Sequence, residues 1–336
     1  MHNLSLKLTA VFLWVGLTLN ACQPGGSGEP VRRTQFIMGT LVEITVSHPD
    51  PNVIQNVTTQ AFDEMNRIEQ LMSTYLPDSE ISRINHASGK DAVPVSPEVE
   101  EVIQEGIFWS EQSGGAFDIT VEPLVQLWDF DGEKEVVPVE NTILKTASLI
   151  NYKNVEIKNH TVRLTKQGMA INVGGLAKGY AVDRAISILR GKVSSGIVNA
   201  GGDLFAFGQK DKQTSWNIGL QHPRKPQEIL AAFAVKNQAV ATSGDYQRYF
   251  IKDGVRYHHI FDPQTGKPAR LMISATVITT EVIDADALAT AVFVMGPKKG
   301  LSWVDSLNNV EAMLVLEDGS ILYSKNFRKQ PQFTLK

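Results

Sequence analysis

A pair of glycines followed by a lysine is the first place where the residue types and their spacing suggest chemistry. Gly174 and Gly175 lie between an apolar run at 169–173 and a helical pattern, and Lys178 follows within the first helical turn. Backbone amides at a helix start, with a lysine nearby, favour an anion such as a phosphate. The spacing fits neither the P-loop nor the G-x-G-x-x-G dinucleotide pattern. A tight structural turn is the alternative interpretation.

Asp286 and Thr290 form a second candidate site, four residues apart in a predicted helix over 284–294. This spacing places a carboxylate and a hydroxyl on one helix face, about one turn apart. Such oxygen ligands suit Mg²⁺, which keeps waters and substrate phosphates in its coordination shell. Alternatively, Asp286 caps the helix beside Asp284 and Thr290 only packs.

Aromatic and imidazole side chains are concentrated between Tyr246 and Phe261. His258 and His259 are neighbours on a predicted strand, so they face opposite ways and at most one points into a cleft. His259 has the chemistry of a proton acceptor near neutral pH, and a structural histidine is the alternative.

Two further side chains follow predicted helices. Tyr75 comes after the first long helix, where its ring can stack on a planar ligand or simply pack. Asp118 follows a glycine pair in Ala116-Phe117-Asp118 and offers either a loop carboxylate or a helix cap.

The N-terminal segment predicts where in the cell the protein is located. Lys7 precedes an apolar run over 8–19 that ends in Asn20-Ala21-Cys22, which is the layout of a signal peptide over residues 1–21. A membrane helix is the alternative, but the run is shorter than the ~20 residues that span a bilayer. The ending resembles a bacterial lipoprotein box, in which the cysteine left by cleavage is acylated. Residues 22–33 then predict a flexible tether from lipidated Cys22, with the body on the periplasmic side of the inner or outer membrane.

The remaining patterns predict an α+β fold, a mixed, mostly antiparallel sheet meander with packed helices. Helical periodicity covers 53–72, 97–113, 176–189, 284–294 and 298–307. Strand patterns cover 35–46 and 169–173, with an antiparallel meander over 197–277 and hairpins near 158–159 and 318–319. The glycine in Met38-Gly39-Thr40 suggests a bulge or a close backbone approach within the first strand. We expect one body over 34–330.

Composition excludes several classes of protein. The 336 residues carry 32 Lys and Arg against 36 Asp and Glu, so the chain lacks the basic excess of a nucleic-acid-binding protein. Cys22 is the only cysteine, which excludes an internal disulfide and a cysteine-based zinc site within one chain.

The order of the motifs resembles the ApbE family, flavin transferases that attach FMN to other proteins. The blocks that carry the resemblance are Met38-Gly39-Thr40, Met72-Ser73-Thr74-Tyr75, Gly114-Gly115-Ala116-Phe117-Asp118, Gly174-Gly175-Leu176-Ala177-Lys178-Gly179-Tyr180, Asn199-Ala200-Gly201-Gly202-Asp203, Ser243-Gly244-Asp245-Tyr246, His259-Ile260-Phe261-Asp262-Pro263 and Ala285-Asp286-Ala287-Leu288-Ala289-Thr290. The lipoprotein leader is also similar to that of many family members.

The resemblance implies an enzyme that moves the FMN part of FAD to a Thr or Ser hydroxyl of an acceptor protein, a membrane redox protein, and releases AMP. It implies that Mg²⁺ is bound by the carbonyl of Gly175 and the side chains of Asp286 and Thr290. The general base would be His259, with Asp245 or a metal-bound group as competitors. The residues implied to hold FAD are Met38, Tyr75, Ala116, Phe117, Asp118, Asn172, Lys178 and Phe261.

Three other functions remain open at this point. Water could replace the acceptor hydroxyl, which would make the protein an FAD pyrophosphatase that yields FMN and AMP. The protein could instead bind flavin without chemistry, or be a structural lipoprotein.

Overall fold

The computed structural model describes residues 29–130, 135–210 and 215–336. The predicted signal peptide, Cys22 and most of the predicted tether lie outside the described residues. The described part contains eight α-helices: α1 (Pro51–Met72), α2 (Glu80–His86), α3 (Pro97–Gln112), α4 (Glu122–Trp128), α5 (Glu140–Ala147), α6 (Gly174–Arg190), α7 (Val282–Met295) and α8 (Pro297–Val304).

The strands of the described residues form one large and four small sheets. The large sheet contains β1 (Val31–Ile37), β2 (Thr40–Val46), β6 (Gly196–Ala200), β7 (Asp203–Phe207), β10 (Gln238–Gly244), β15 (Met272–Thr279), β16 (Glu311–Leu316) and β17 (Ile321–Tyr323). The small sheets contain β3 (Val93–Pro94), β4 (Val155–Lys158) and β5 (Thr161–Leu164); β8 (Trp216–His222), β9 (Lys225–Val235) and β18 (Thr334–Leu335); β11 (Tyr249–Lys252) and β12 (Val255–His258); and β13 (Phe261–Asp262) and β14 (Lys267–Pro268).

The large sheet is antiparallel throughout, in the order β1-β2-β6-β7-β10-β15-β16-β17. Both of its faces are covered, as β7 illustrates. Phe205 and Phe207 belong to the main core with α1, α6 and α7, while Leu204 and Ala206 pack in a second core with β8 and β9. The sheet is therefore a middle layer between helices and a smaller sheet, which confirms the predicted α+β class.

The helices begin where their capping residues predict. Ser96 accepts from the amide of Val99 before Pro97 opens α3, and Asp50 accepts from the amide of Asn52 at the start of α1. At α7, the amides of Val282 and Ile283 instead donate to the side chain of Asp183 on α6. This contact ties the N-terminus of α7 to α6.

The same two helices touch through a glycine. A Cβ added at Gly179 of α6 would lie 2.5 Å from the carbonyl oxygen of Val282 and 2.6 Å from the backbone of Ile283. Only a residue without a side chain lets the two backbones approach this closely.

The structure corrects three predictions from the sequence. Residues 169–173 form no strand, because the backbone of Ile171 pairs with a side chain: its amide donates to Asn85 Oδ1 at 2.7 Å, and its carbonyl accepts from Asn85 Nδ2 at 2.9 Å. The interruption at Met38-Gly39 is a hairpin turn rather than a bulge, since Ile37 pairs with Thr40. The first strand also begins at Val31, inside the segment predicted as the tether.

None of the helices within the described residues is both long and apolar enough to cross a membrane.

Candidate functional site

A cleft of about 650 Å³ opens between the β1–β2 turn, the end of α1, the start of α6, the middle of α7 and the segment 259–263. This volume is in the range of cofactor sites. The structure brings every residue expected at an FAD or metal site to this one cleft: Met38, Tyr75, Ala116, Phe117, Asp118, Asn172, Gly175, Lys178, His259, Phe261, Asp286 and Thr290. Their contacts with a ligand stay predictions.

The mouth of the cleft is built from a turn and a helix end. Met38 and Gly39 have φ values of 54° and 70°, as the two central residues of a type I′ hairpin turn require. Tyr75 follows α1 and is 64% exposed, and its hydroxyl oxygen accepts a hydrogen bond of 3.0 Å from Arg248 Nη1. The ring is therefore held at the mouth rather than packed in the core.

Asp118 serves as a cap in this structure. Its Oδ1 accepts from the amide and hydroxyl of Thr120 at 2.8 and 2.6 Å, and its Oδ2 accepts from the amide of Tyr152 at 3.1 Å. Burial raises the pKa of Asp118, and these hydrogen bonds oppose the rise by favouring the charged form. The carboxylate therefore fixes the Ala116–Asp118 loop that lines the cleft.

The start of α6 is shaped by Asn172. Its Oδ1 accepts from the amide of Gly174 at 2.7 Å, while its Nδ2 donates to Glu122 Oε2 at 2.6 Å. A Cβ added at Gly175 would lie 3.0 Å from the ring of Phe117 and 3.8 Å from Thr290 Oγ1. The glycine therefore lets α6 begin against the wall of the cleft, close to Thr290.

A buried ion cluster forms the floor of the cleft. Lys178 Nζ donates to Asp203 Oδ2, and it donates to Asp286 Oδ2 at 2.8 Å. Both carboxylates are buried, at 4% and 5% exposure. Burial alone would lower the pKa of Lys178, but the two carboxylates raise it above its usual value, so the side chain stays an ammonium. Burial and the charge of Asp286 raise the pKa of Asp203, against the effect of Lys178.

These contacts correct one interpretation of α7. Asp286 lies in the first turns of the helix but caps nothing, because Asp183 binds the amides at its N-terminus. Thr290 Oγ1 lies 3.0 Å from Ser243 Oγ, so its hydroxyl also points to a polar neighbour.

Oxygen atoms dominate this floor, and they suit a hard cation. A carboxylate from Asp286, a hydroxyl from Thr290 and the nearby backbone of Gly175 match the ligands that Mg²⁺ takes in proteins. Within the described residues no three His, Cys, Asp or Glu side chains are grouped to hold a metal. A cation here would thus depend on hydroxyl and carbonyl oxygens, and on the ligand's own phosphates.

The two histidines face opposite ways, as predicted. His258 is 2% exposed, and its Nε2 lies 2.9 Å from the carbonyl of Ala269, to which it donates. His259 lines the cleft, and its Nδ1 lies 3.3 Å from the carbonyl of Arg248. A carbonyl only accepts, so Nδ1 carries the proton and Nε2 is the acceptor. Burial and His258 lower the pKa of His259 to about 4, which keeps the ring neutral.

Asp245, the competing base, is already engaged. Its two oxygens accept from Arg224 at 2.6 and 2.7 Å, and it is buried. Asp203, Ser243 and Arg248 lie at or beside the cleft but were not predicted as site residues. Asp203 and Ser243 belong to the sequence blocks quoted above, and Arg248 lies in the segment from Tyr246 to Phe261, so a signal was available for each of them.

Comparison with known proteins identifies the family of the chain. The model of the ApbE family matches residues 38–314. The chain belongs to the ApbE family. The FAD:protein FMN transferase of Treponema pallidum is 29% identical to this member over 93% of both chains. A relative of the same name from Klebsiella pneumoniae is 33% identical, over 80% of this chain and 84% of its own. The crystal structure of the Thermotoga maritima ApbE protein superposes with a TM-score of 0.85 at 38% identity, over 90% of this chain and all of that one.

Proposed function

We propose that the protein is an FAD:protein FMN transferase that moves the FMN part of FAD to a Thr or Ser hydroxyl of an acceptor protein and releases AMP. Its relatives of that name support the flavin chemistry. The observation that carries the proposal is the floor of the cleft, where Lys178, Asp286 and Thr290 are collected beside the glycine start of α6. Such a floor suits a pyrophosphate and its counter-ion.

Mg²⁺ would be held by Asp286, Thr290 and the carbonyl of Gly175. The metal would supply neutralisation of charge on the phosphates during transfer. The apolar and aromatic lining, including Phe117, Phe261 and Tyr75, suits the flavin ring, and Met38 and Asn172 line the same cleft.

The reaction breaks one phosphoanhydride bond and forms one phosphoester bond. The acceptor hydroxyl oxygen attacks the phosphorus on the FMN side, and AMP leaves with the bridging oxygen. The hydroxyl proton passes to His259 Nε2, which is unprotonated because Nδ1 donates to Arg248. The residues of the chain otherwise act by holding the reactants in line and by excluding water.

The N-terminal sequence supports a place for the reaction. Cleavage before Cys22 and acylation of its thiol would anchor the enzyme to a membrane of the bacterial cell envelope, with the body in the periplasm and the tether giving it reach. The acceptor would then be a membrane redox protein with a short Thr- or Ser-containing motif.

The test is a transfer assay with the full chain in detergent. The protein is incubated with FAD, Mg²⁺ and an acceptor domain that carries a threonine, and the mass of the acceptor and the free AMP are measured. We expect the acceptor to gain one FMN per AMP released, and Asp286→Ala to abolish both products. Asp284→Ala is the matched control, because Asp284 lies on the same helix but contacts Trp109 outside the cleft.

The other outcomes identify other functions. AMP and FMN released with several unmodified acceptors would make the protein an FAD pyrophosphatase. FAD bound without AMP would make it a flavin-binding protein, and no FAD binding at all would leave a structural lipoprotein.

A further inference from the structure

Asp203 is part of the ion cluster but has no role in the reaction proposed above. It is the first residue of β7 and follows the turn at Gly201 and Gly202, whose φ values are 65° and 107°. This turn places its carboxylate on Lys178, which comes from α6, while Asp286 reaches the same ammonium from α7. Three elements thus meet at one positive charge.

The charges at this point do not cancel. Two buried carboxylates share one ammonium, so the cluster carries a net negative charge when both carboxylates are ionised. If Lys178 had Asp286 as its only partner, the pair would be neutral, and a divalent cation would have to break that ion pair to reach the carboxylate. With Asp203 present, the ammonium keeps a partner when Asp286 turns to another ligand, and the local field still attracts a cation.

We propose that Asp203 is a positioning residue for the metal site: it retains the Lys178 ammonium so that the Asp286 carboxylate can bind a divalent cation. This inference rests on the metal site of the proposed function. A purely structural Asp203, which only fixed the β6–β7 turn, would change stability without changing cation affinity.

The experiment measures cation binding without FAD. The full chain in detergent is titrated with Mn²⁺ in mildly alkaline buffer, and free Mn²⁺ is followed by electron paramagnetic resonance. Mn²⁺ serves as the probe because it accepts the oxygen ligands that suit Mg²⁺. Wild-type protein is expected to bind, and Asp286→Ala is expected to lose the site.

Two substitutions should shift the affinity in opposite directions. Asp203→Asn leaves Lys178 paired with Asp286 alone, so we expect Mn²⁺ binding to weaken roughly tenfold or more. Lys178→Gln removes the competing ammonium, so we expect binding to tighten. Asp284→Asn is the matched control, because it alters another carboxylate of α7 that contacts Trp109 and not Lys178. Its Mn²⁺ affinity should equal that of the wild type.

Each result bears on a separate claim. A folded Asp203→Asn variant, checked by circular dichroism, that binds Mn²⁺ like the wild type overturns the inference, and so does a Lys178→Gln variant that binds more weakly. If Asp203→Asn fails to fold, Asp203→Ser replaces it, because serine also removes the charge that retains Lys178 and is expected to weaken Mn²⁺ binding in the same way. If wild-type protein binds no Mn²⁺ that depends on Asp286, the proposed metal site fails first and the inference fails with it. If the wild type transfers FMN and binds Mn²⁺ through Asp286, but Asp203→Asn binds Mn²⁺ with unchanged affinity, the inference fails and the proposed function stands.

Discussion

Replacing Gly179 by alanine is expected to separate α6 from α7 and to disable the cleft floor that the two helices build. The new methyl carbon would lie 2.5 Å from the carbonyl oxygen of Val282, whereas ordinary contact begins near 3.4 Å. The obstructing atoms are backbone, so the helices must move apart by about 1 Å, because packed interiors have no spare volume.

The energetic cost follows from this overlap. Forcing a methyl group into a packed core costs about 3 kcal/mol when backbone has to move. In a chain of this size that lowers Tm by roughly 5 °C. Asp286 lies on α7 one turn beyond Ile283, so its distance of 2.8 Å to Lys178 changes with the helix position. A displacement of this size reduces a transfer rate by about 100-fold.

The assay compares Gly179 with Gly191, the residue that follows α6. Gly191→Ala is the matched control, because a Cβ there would meet its nearest neighbour, the carbonyl oxygen of Ile188, at 3.6 Å. Tm is measured by calorimetry, and transfer by the mass of the acceptor. If Gly179→Ala has the same Tm and rate as Gly191→Ala, the close contact between α6 and α7 does not position the floor.

Three further predictions concern titration and capping. Burial and the charge of Asp284 raise the pKa of Glu105 to about 7, so the folded protein keeps a proton that the unfolded chain releases near pH 4.5. The free energy of unfolding should therefore fall as the pH rises between these two values, and it should fall less in Glu105→Gln. Urea titrations at several pH values measure this dependence. An unchanged slope in that variant would contradict this assignment. Burial lowers the pKa of His259 to about 4, so the ring stays a proton acceptor through the mildly acidic range. The kcat of transfer, measured as a function of pH, should therefore stay level in that range and decline only as the pH approaches 4. A decline near pH 6.5 would mean that the ring is solvated. Asp118→Ala should lower the free energy of unfolding by about 2 kcal/mol through the lost cap, and a variant as stable as the wild type would show that the cap contributes nothing.

The long helices could be predicted from the sequence because their signals are local. In α3, Ser96 and Pro97 mark the start, and apolar residues repeat at helical spacing. Helices α2, α4 and α5 have seven or eight residues each, so their periodicity covers barely two turns, and of the short helices described only α8 was predicted. The apolar run at 169–173 predicted a strand, but a strand needs a partner, and here the side chain of Asn85 takes that place.

The strand order of the large sheet could not be predicted from the sequence. Only its class could be inferred, since the pairing of β2 with β6 joins segments separated by α1 to α6. The sequence blocks predicted which residues line the cleft, but they did not predict the contacts between those residues. Nothing in the spacing shows that Lys178 lies between Asp203 and Asp286, because that arrangement depends on how α6, β7 and α7 pack.

The burial of α7 determines which parts of this enzyme tolerate amino-acid substitutions. The helix is enclosed on nearly every side and carries Asp286 and Thr290 within a run of small and apolar residues, so almost any substitution there also alters the core. The mouth consists instead of a two-residue turn and the solvent-exposed Tyr75. Libraries that aim to redirect the enzyme to a new acceptor should therefore vary the turn and the segment after α1, and should leave the floor untouched.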